Sequence, residues 1–174
     1  MKTLLLLRHA KSGPIDPAGQ DVERPLNDRG KREAKLIADF IRRQNIPIDL
    51  IVCSPAVRAK QTMELVFATN QPSPEVRFDQ RIYEASPTQL LEVISGVEDE
   101  RRCLLIVGHN PGMEELLTLL LGEEQHMPTA ALAKVTLSSK NWKQLVPGKG
   151  ILETLVTARG LEHDEIGQQS FRDA

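Results

Sequence analysis

In the stretch Leu4-Leu5-Leu6-Leu7-Arg8-His9, four leucines lead directly into an arginine and a histidine. A short run that is apolar at every position is typical of a strand buried on both faces, as in a parallel sheet. Ligands of open α/β sheets bind outside the carboxyl ends of the strands. Arg8 and His9 are therefore expected at a ligand-binding edge, although a surface pair that merely closes a strand would have the same local sequence.

A second apolar run, Leu50–Cys53, also ends in polar residues. Ser54 and Pro55 predict the N-cap and first turn of a helix, and Arg58 would lie in that first turn. A cation near a helix N-terminus loses stability because the helix dipole is positive there. The position of Arg58 therefore indicates another role, such as supplying charge to a phosphate at the edge of the sheet, although the stretch by itself is also compatible with a surface arginine at slight cost.

A third apolar run, Leu104–Val107, leads through Gly108 and His109 into a leucine-rich helix predicted from about Glu114. Helix N-termini attract anions through their free N–H groups. A lone histidine here would more often be a packed or capping residue. Because Arg8, His9 and Arg58 are expected at the same edge, a functional role for His109 is the better interpretation.

The rest of the chain predicts one α/β domain. With 174 residues it is long enough for one full core and short for two. The remaining predicted elements are helices over 31–44 (capped by Asn27 or Asp28) and from Ser86 or Pro87 to Gly96, and strands at 76–78, 131–137 and 151–157. We expect a single three-layer α/β/α domain with a mostly parallel central sheet, formed by residues 1–160, and a polar tail at 161–174.

Composition excludes several classes of protein. The 22 lysines and arginines are balanced by 24 acidic residues, so neither nucleic acid nor membrane is an expected partner. Cys53 and Cys103 lie inside apolar runs and are expected as buried free thiols, and no spacing indicates a metal site. The chain offers no signal peptide and no stretch long enough to span a bilayer, which makes a cytoplasmic location the default.

Two arginines and two histidines at one edge would suit a phosphoryl group during transfer, with no metal ion required. One histidine can attack phosphorus and become phosphorylated, which divides the reaction into two displacements. The leaving group then needs a proton, and Glu84 is the best-placed carboxylate in the sequence. The alternative is that Glu84 is a surface residue beside a packed tyrosine.

These motifs carry a resemblance to a known family. Leu7–Ser12, Arg24–Gly30, Ser54–Thr62 and Gly108–Gly112 stand in the order typical of the histidine phosphatase superfamily, which has the phosphoglycerate mutase-like fold. Among its members the chain is most similar to the small SixA-type phosphohistidine phosphatases. The resemblance covers roughly Lys2 to Thr157.

The resemblance implies roles for individual residues. His9 resembles the phosphorylated nucleophile, and Arg8, Arg58 and His109 resemble the other residues of the phosphate pocket. In most members of the family, a glycine follows the arginine and the histidine of the first motif. Ala10 stands in its place here, a variant shared with SixA-like members. Glu84 lies in a segment similar to the one that carries the acid of the mutases, but SixA-like members often lack that acid. No cofactor is implied.

The expected function is that of a phosphatase with an open site. The segment from Arg81 to Arg101, where larger relatives insert capping elements, holds only a helix and a turn. An open site suits a phosphorylated side chain on a phosphotransfer-type protein, and phosphohistidine is the leading substrate hypothesis. A small-molecule phosphomonoesterase, a mutase (disfavoured by the small cap) and a non-catalytic phosphate-binding adaptor remain the alternatives.

Overall fold

The computed structural model describes residues 1–69 and 73–163. Its centre is a six-stranded sheet in the order β3-β2-β4-β1-β5-β6. The strands are β1 (Lys2–Arg8), β2 (Leu50–Cys53), β3 (Glu75–Phe78), β4 (Cys103–Gly108), β5 (Leu132–Leu137) and β6 (Gly150–Val156). The first four in this order are parallel and the last two are antiparallel to their neighbours. The prediction of a mostly parallel sheet is confirmed.

Helices cover both faces of the sheet. They are α1 (Asp28–Arg43), α2 (Val57–Phe67), α3 (Pro87–Ser95) and α4 (Gly112–Leu121). Because side chains alternate across a strand, Leu4 and Leu6 of β1 belong to a core formed with α3 and α4. Leu5 and Leu7 belong to the opposite core, formed with α1 and α2. The four leucines are fully buried, and the three-layer α/β/α architecture is confirmed.

The order of the strands explains why chemistry collects at one edge. β4 lies between β1 and β2 and is parallel to both. Arg8 pairs in register with Gly108, and Cys53 pairs with Val107, so the three strands end at nearly the same level. The residues that follow these strands must therefore lie close together.

Of the three predicted helix N-caps, two are right and one is wrong. The Asn27 side chain accepts a hydrogen bond from the Gly30 N–H, and Ser86 forms a capping box with Gln89. The expectation that Ser54 and Pro55 start the second helix is wrong. Helix α2 begins at Val57, its N-cap residue is Ala56, and the Ser54 hydroxyl is bonded to a residue elsewhere in the fold.

Residues at the carboxyl end of the described chain also pack on the domain. Residues 158–163 are helical, and Ala158 and Leu161 are buried in the core that contains α1 and α2. The rest of the predicted polar tail, residues 164–174, lies outside the described residues. Within the two described ranges, no helix is long and apolar enough to cross a membrane.

Candidate active site

A cavity of about 880 Å³ opens at the carboxyl edge of the sheet. All five residues singled out in the sequence line it: Arg8, His9, Arg58, Glu84 and His109. The loop between β1 and α1 forms one wall.

His9 has a nitrogen available for attack. Its side chain is 8% exposed, and Nδ1 lies 2.8 Å from the Ala10 carbonyl oxygen, which can only accept a hydrogen bond. The proton is therefore on Nδ1, and the Nε2 lone pair accepts a hydrogen bond of 3.3 Å from Arg58 Nε. Burial lowers the pKa of His9 to about 4, outweighing the hydrogen bond to Ala10, and nearby arginines add to the decrease. His9 is thus a neutral imidazole at neutral pH.

Hydrogen bonds to Thr62 of helix α2 fix the backbone next to His9. The Ala10 N–H donates to Thr62 Oγ1 over 3.0 Å, and the Thr62 hydroxyl donates to the Arg58 carbonyl oxygen over 2.7 Å. Thr62 is fully buried on α2. One side chain thereby couples the backbone position of His9 to that of Arg58.

Arg58 is 4% exposed and uses three nitrogens at once. Besides its bond to His9, Nη1 donates to the Asp21 carbonyl oxygen over 2.6 Å and Nη2 donates to Asp21 Oδ2 over 2.8 Å. This pairing explains how a cation is tolerated in the first turn of α2, where the helix dipole opposes it. Burial without such a partner would be costly.

His109 faces His9 across the cavity floor, with the two ring centroids 5.0 Å apart. Its Nε2 lies 2.7 Å from Ser54 Oγ, whereas Nδ1 is buried and has no hydrogen-bond partner among the described residues. Burial lowers the pKa of His109 to about 3, and the nearby Arg58, together with His9 when it is protonated, adds to the decrease. His109 is therefore also neutral at neutral pH.

Arg8 is held by the loop that precedes β5. Its Nη1 donates to the Met127 carbonyl oxygen over 2.9 Å, and the Met127 N–H donates to Glu114 Oε2 over 2.8 Å. Burial lowers the pKa of Arg8, with Glu114 and Glu33 opposing the shift. Arg8 Nε is buried and has no hydrogen-bond partner within the described part of the chain.

Sequence analysis did not single out Asp21 or Tyr83. Asp21 Oδ2 accepts hydrogen bonds from Arg58 and from the Tyr83 hydroxyl at 2.8 Å, and Oδ1 pairs with Arg24 at 3.0 Å. Burial alone would raise the pKa of Asp21, but the bonds from Tyr83 and Arg58 and the charge of Arg24 lower it overall. The only sequence signal for Asp21 is its place three residues before Arg24 of the second motif. The sequence around Asp21 does not indicate that its side chain bonds to Arg58 and Tyr83.

Glu84 stands at the rim of the cavity in an unusual backbone conformation. Its φ angle is 51°, which is uncommon for a residue with a side chain. The flanking Ile82 and Ala85 are buried, and the Ala85 carbonyl packs so closely on Gly112 that a Cβ there would lie 1.9 Å from the oxygen. Glu84 is therefore fixed at its position by its neighbours while its own side chain is exposed.

Cys53 and Cys103 are buried free thiols, as predicted, and burial raises the pKa of each to about 12. Across residues 1–69 and 73–163, no group of three or more His, Cys, Asp or Glu side chains could hold a metal ion. The cations that line the cavity are arginines and Lys11.

Comparison with known proteins agrees with this geometry. The model of the histidine phosphatase superfamily (branch 1) matches residues 4–90. An uncharacterised protein of Mycobacterium tuberculosis is 33% identical over 153 residues, which cover 82% of this chain and 93% of the relative. The chain belongs to the histidine phosphatase superfamily.

Two further relatives indicate the branch of the family that the chain resembles. The phosphohistidine phosphatase SixA of Escherichia coli is 29% identical over 153 residues, covering 80% of this chain and 91% of that protein. The crystal structure of a candidate phosphohistidine phosphatase SixA of Agrobacterium tumefaciens superposes with a TM-score of 0.79. It is 28% identical and covers 90% of this chain and 97% of its own. The phosphoglycerate mutase-like fold expected from the motifs is confirmed, and these neighbours support phosphatase activity.

Proposed function

We propose that this protein is a metal-independent, cytoplasmic phosphatase that works through a phosphohistidine intermediate at His9. The carrying observation is the pair of neutral histidines beside the buried Arg58 and the half-buried Arg8: His9 Nε2 has a lone pair, which accepts a hydrogen bond from Arg58 in the same cavity. A neutral imidazole in a cavity lined with cations is a nucleophile beside ready charge stabilisation for phosphoryl oxygens. The proposed roles are nucleophile for His9 and phosphate binding for Arg8, Arg58 and His109.

In the first step, His9 Nε2 attacks phosphorus and a bond forms between them. The bond from phosphorus to the leaving atom breaks, and the electron pair goes to that atom, which takes a proton from solvent or, for an alkoxide, from Glu84. In the second step, water attacks the phosphoryl group on His9, the bond from phosphorus to Nε2 breaks, and the proton of the water passes to solvent as inorganic phosphate is released. His9 returns as a neutral imidazole. Charge on the equatorial oxygens is balanced by the arginines in both steps.

Phosphohistidine on another protein is the proposed substrate. The segment from 79 to 102 adds only one 3₁₀ turn (Gln80–Ile82) and the short helix α3, so the site stays open to a side chain carried on a folded partner. The similarity to the phosphohistidine phosphatase SixA supports the same choice. An imidazole is a better leaving group than an alkoxide, so the reaction depends less on a strong acid.

A second candidate function is hydrolysis of small phosphomonoesters. The observation that favours it is Glu84, which lines the cavity and could protonate an alkoxide leaving group. In that case the open rim would bind the remainder of a small metabolite. We place this function second because Glu84 is exposed and has no hydrogen-bond partner in the described ranges.

The test is phosphate release from a phosphohistidine-bearing phosphotransfer protein and from an aryl phosphate, both in EDTA. Wild type is compared with His9→Ala and with His163→Ala, which removes an exposed histidine as a matched control. We expect rapid release from the phosphoprotein, lost in His9→Ala and kept in His163→Ala. Turnover of the aryl phosphate alone would favour the second function. Saturable binding of the phosphoprotein without turnover, with or without added metal, would favour a phosphate-binding adaptor instead.

A further inference from the structure

We propose that Ser54 is a positioning residue that fixes the tautomer of His109, so that His109 presents an Nδ1–H donor to the phosphoryl group. The proposal deepens the proposed function and rests on it for the identity of the ligand. Ser54 stands immediately after β2, and its role replaces the helix N-cap expected from the local sequence.

Hydrogen bonds hold both the backbone and the hydroxyl group of Ser54. Its side chain is fully buried, and its backbone N–H donates to the Val107 carbonyl oxygen over 3.0 Å. The Ala56 N–H donates to Ser54 Oγ over 3.3 Å, so the hydroxyl oxygen already accepts one hydrogen bond. The hydroxyl proton has no other acceptor among the described residues than His109 Nε2, which is 2.7 Å away.

In a neutral imidazole, one ring nitrogen donates a hydrogen bond and the other accepts one. If Nε2 accepts the Ser54 proton, the proton of His109 is on Nδ1. In the other tautomer, the buried Ser54 hydroxyl proton would lack an acceptor, which is costly. Ser54 therefore favours the Nδ1–H form.

With its proton on Nδ1, His109 can donate a hydrogen bond to a ligand. Nδ1 is the ring nitrogen that Ser54 leaves without a partner; it is buried, on a ring that lines the cavity and lies 5.0 Å from that of His9, centroid to centroid. An N–H at this place can donate to a phosphoryl oxygen, whereas a lone pair would repel it. Tyr83, whose ring stands edge-on to His109 at 5.5 Å, restricts the orientation of the ring without supplying a competing hydrogen bond.

The test combines nitrogen NMR of the free protein with kinetics. In ¹⁵N-histidine-labelled wild type, we expect His109 to be in the Nδ1–H form, and added inorganic phosphate should shift its Nδ1 resonance. Ser54→Ala should give a mixture of tautomers and lower kcat by about 10- to 100-fold, which is less than the about 10²- to 10³-fold loss on removing a donor outright, because part of the protein keeps the Nδ1–H form. Ser54→Thr, which retains the hydroxyl, should restore both the tautomer and most of the activity, and Ser138→Ala removes an exposed hydroxyl as the control.

Failure of this proposal can be distinguished from failure of the proposed function. The tautomer is read in the free protein and does not require turnover. Wild-type His109 with its proton on Nε2 would overturn the proposal even if the enzyme is active, and would do so whether or not Ser54→Ala folds. Unchanged tautomer and kcat in a folded Ser54→Ala would also overturn it. Absence of turnover in wild type that shows the Nδ1–H form would instead count against the proposed function alone.

Discussion

The cavity has two halves that are built in different ways. The strand-end half consists of Arg8, His9, Arg58 and His109, which lie at or just beyond the carboxyl ends of β1, β2 and β4. The loop half consists of Asp21 and Glu84, which line the cavity from segments outside the sheet, and of Tyr83, whose hydroxyl donates to Asp21. In the strand-end half, the histidines and Arg58 are less than a tenth exposed, and strand register sets their positions.

The loop half depends on side-chain bonds instead. Asp21 joins the loop after β1 to Tyr83 and to Arg58, and thus ties the wall of the cavity to its floor. Glu84 is exposed and is positioned by its buried neighbours. We therefore expect the strand-end half to determine whether phosphoryl transfer occurs. The loop half should determine which substrates react and at what rate.

The largest effect is expected at Arg58. Arg58→Ala should lower kcat/KM by about 10²- to 10³-fold, because it removes the charge beside the transferring group and the hydrogen bond to His9. Arg58→Lys should recover only part of this loss, since an ammonium group cannot donate to His9 and Asp21 together in the fork geometry. Steady-state phosphate release measures both, with exposed Arg32→Ala as the control. A loss no greater than that of Arg32→Ala would contradict the role of the strand-end half.

Glu84→Gln should slow the hydrolysis of alkyl phosphates much more than that of the phosphohistidine protein. With a simple alkyl phosphate we expect a loss of about 10²-fold, the usual contribution of a general acid. With the phosphohistidine protein the loss should be small, because imidazole leaves without strong acid assistance. The two rates are compared in one preparation, with exposed Glu92→Gln as the control. If Glu84→Gln keeps full activity on every substrate tested, Glu84 has no part in the mechanism.

Asp21→Asn should lower kcat by about 10-fold without raising KM, because a small displacement of Arg58 is enough to slow a positioned reaction. Asparagine can still accept from Tyr83, but it no longer balances the charge of Arg58. Asp16→Asn, on the exposed part of the same loop, is the matched control. A rise in KM with kcat unchanged would mean that Asp21 contacts the substrate rather than Arg58.

The smallest effect is on stability. His9 and His109 have pKa values of about 4 and 3 in the folded chain, against about 6.5 when unfolded. Between these values the unfolded chain binds more protons, so the free energy of unfolding should fall as pH is lowered from 7 to 4. His9→Asn should reduce this dependence and exposed His163→Asn should not, as measured by urea unfolding at several pH values. Equal slopes in wild type and His9→Asn would show that His9 is not buried as a neutral group.

The two halves also differed in how far the sequence could predict them. The four strand-end residues follow apolar runs or begin a helix next to one, and the periodic pattern places such residues at a common edge. Asp21 and Tyr83 could not be found in this way, because their bonds join residues 62 positions apart. Ser54 was misassigned for the same reason: its local sequence predicts a cap, but its hydroxyl bonds to His109, 55 positions away. The boundary at residue 160 stays a prediction.

The most direct measurement is to trap the phosphoenzyme. Wild type is mixed with the phosphohistidine protein, quenched in alkali within milliseconds and analysed by intact and tandem mass spectrometry. The proposed function predicts one phosphoryl group, stable in alkali and labile in acid, on His9, and none on His9→Ala. Phosphate release with the label on another residue, with no label at any time, or with undiminished rate in His9→Ala would contradict it.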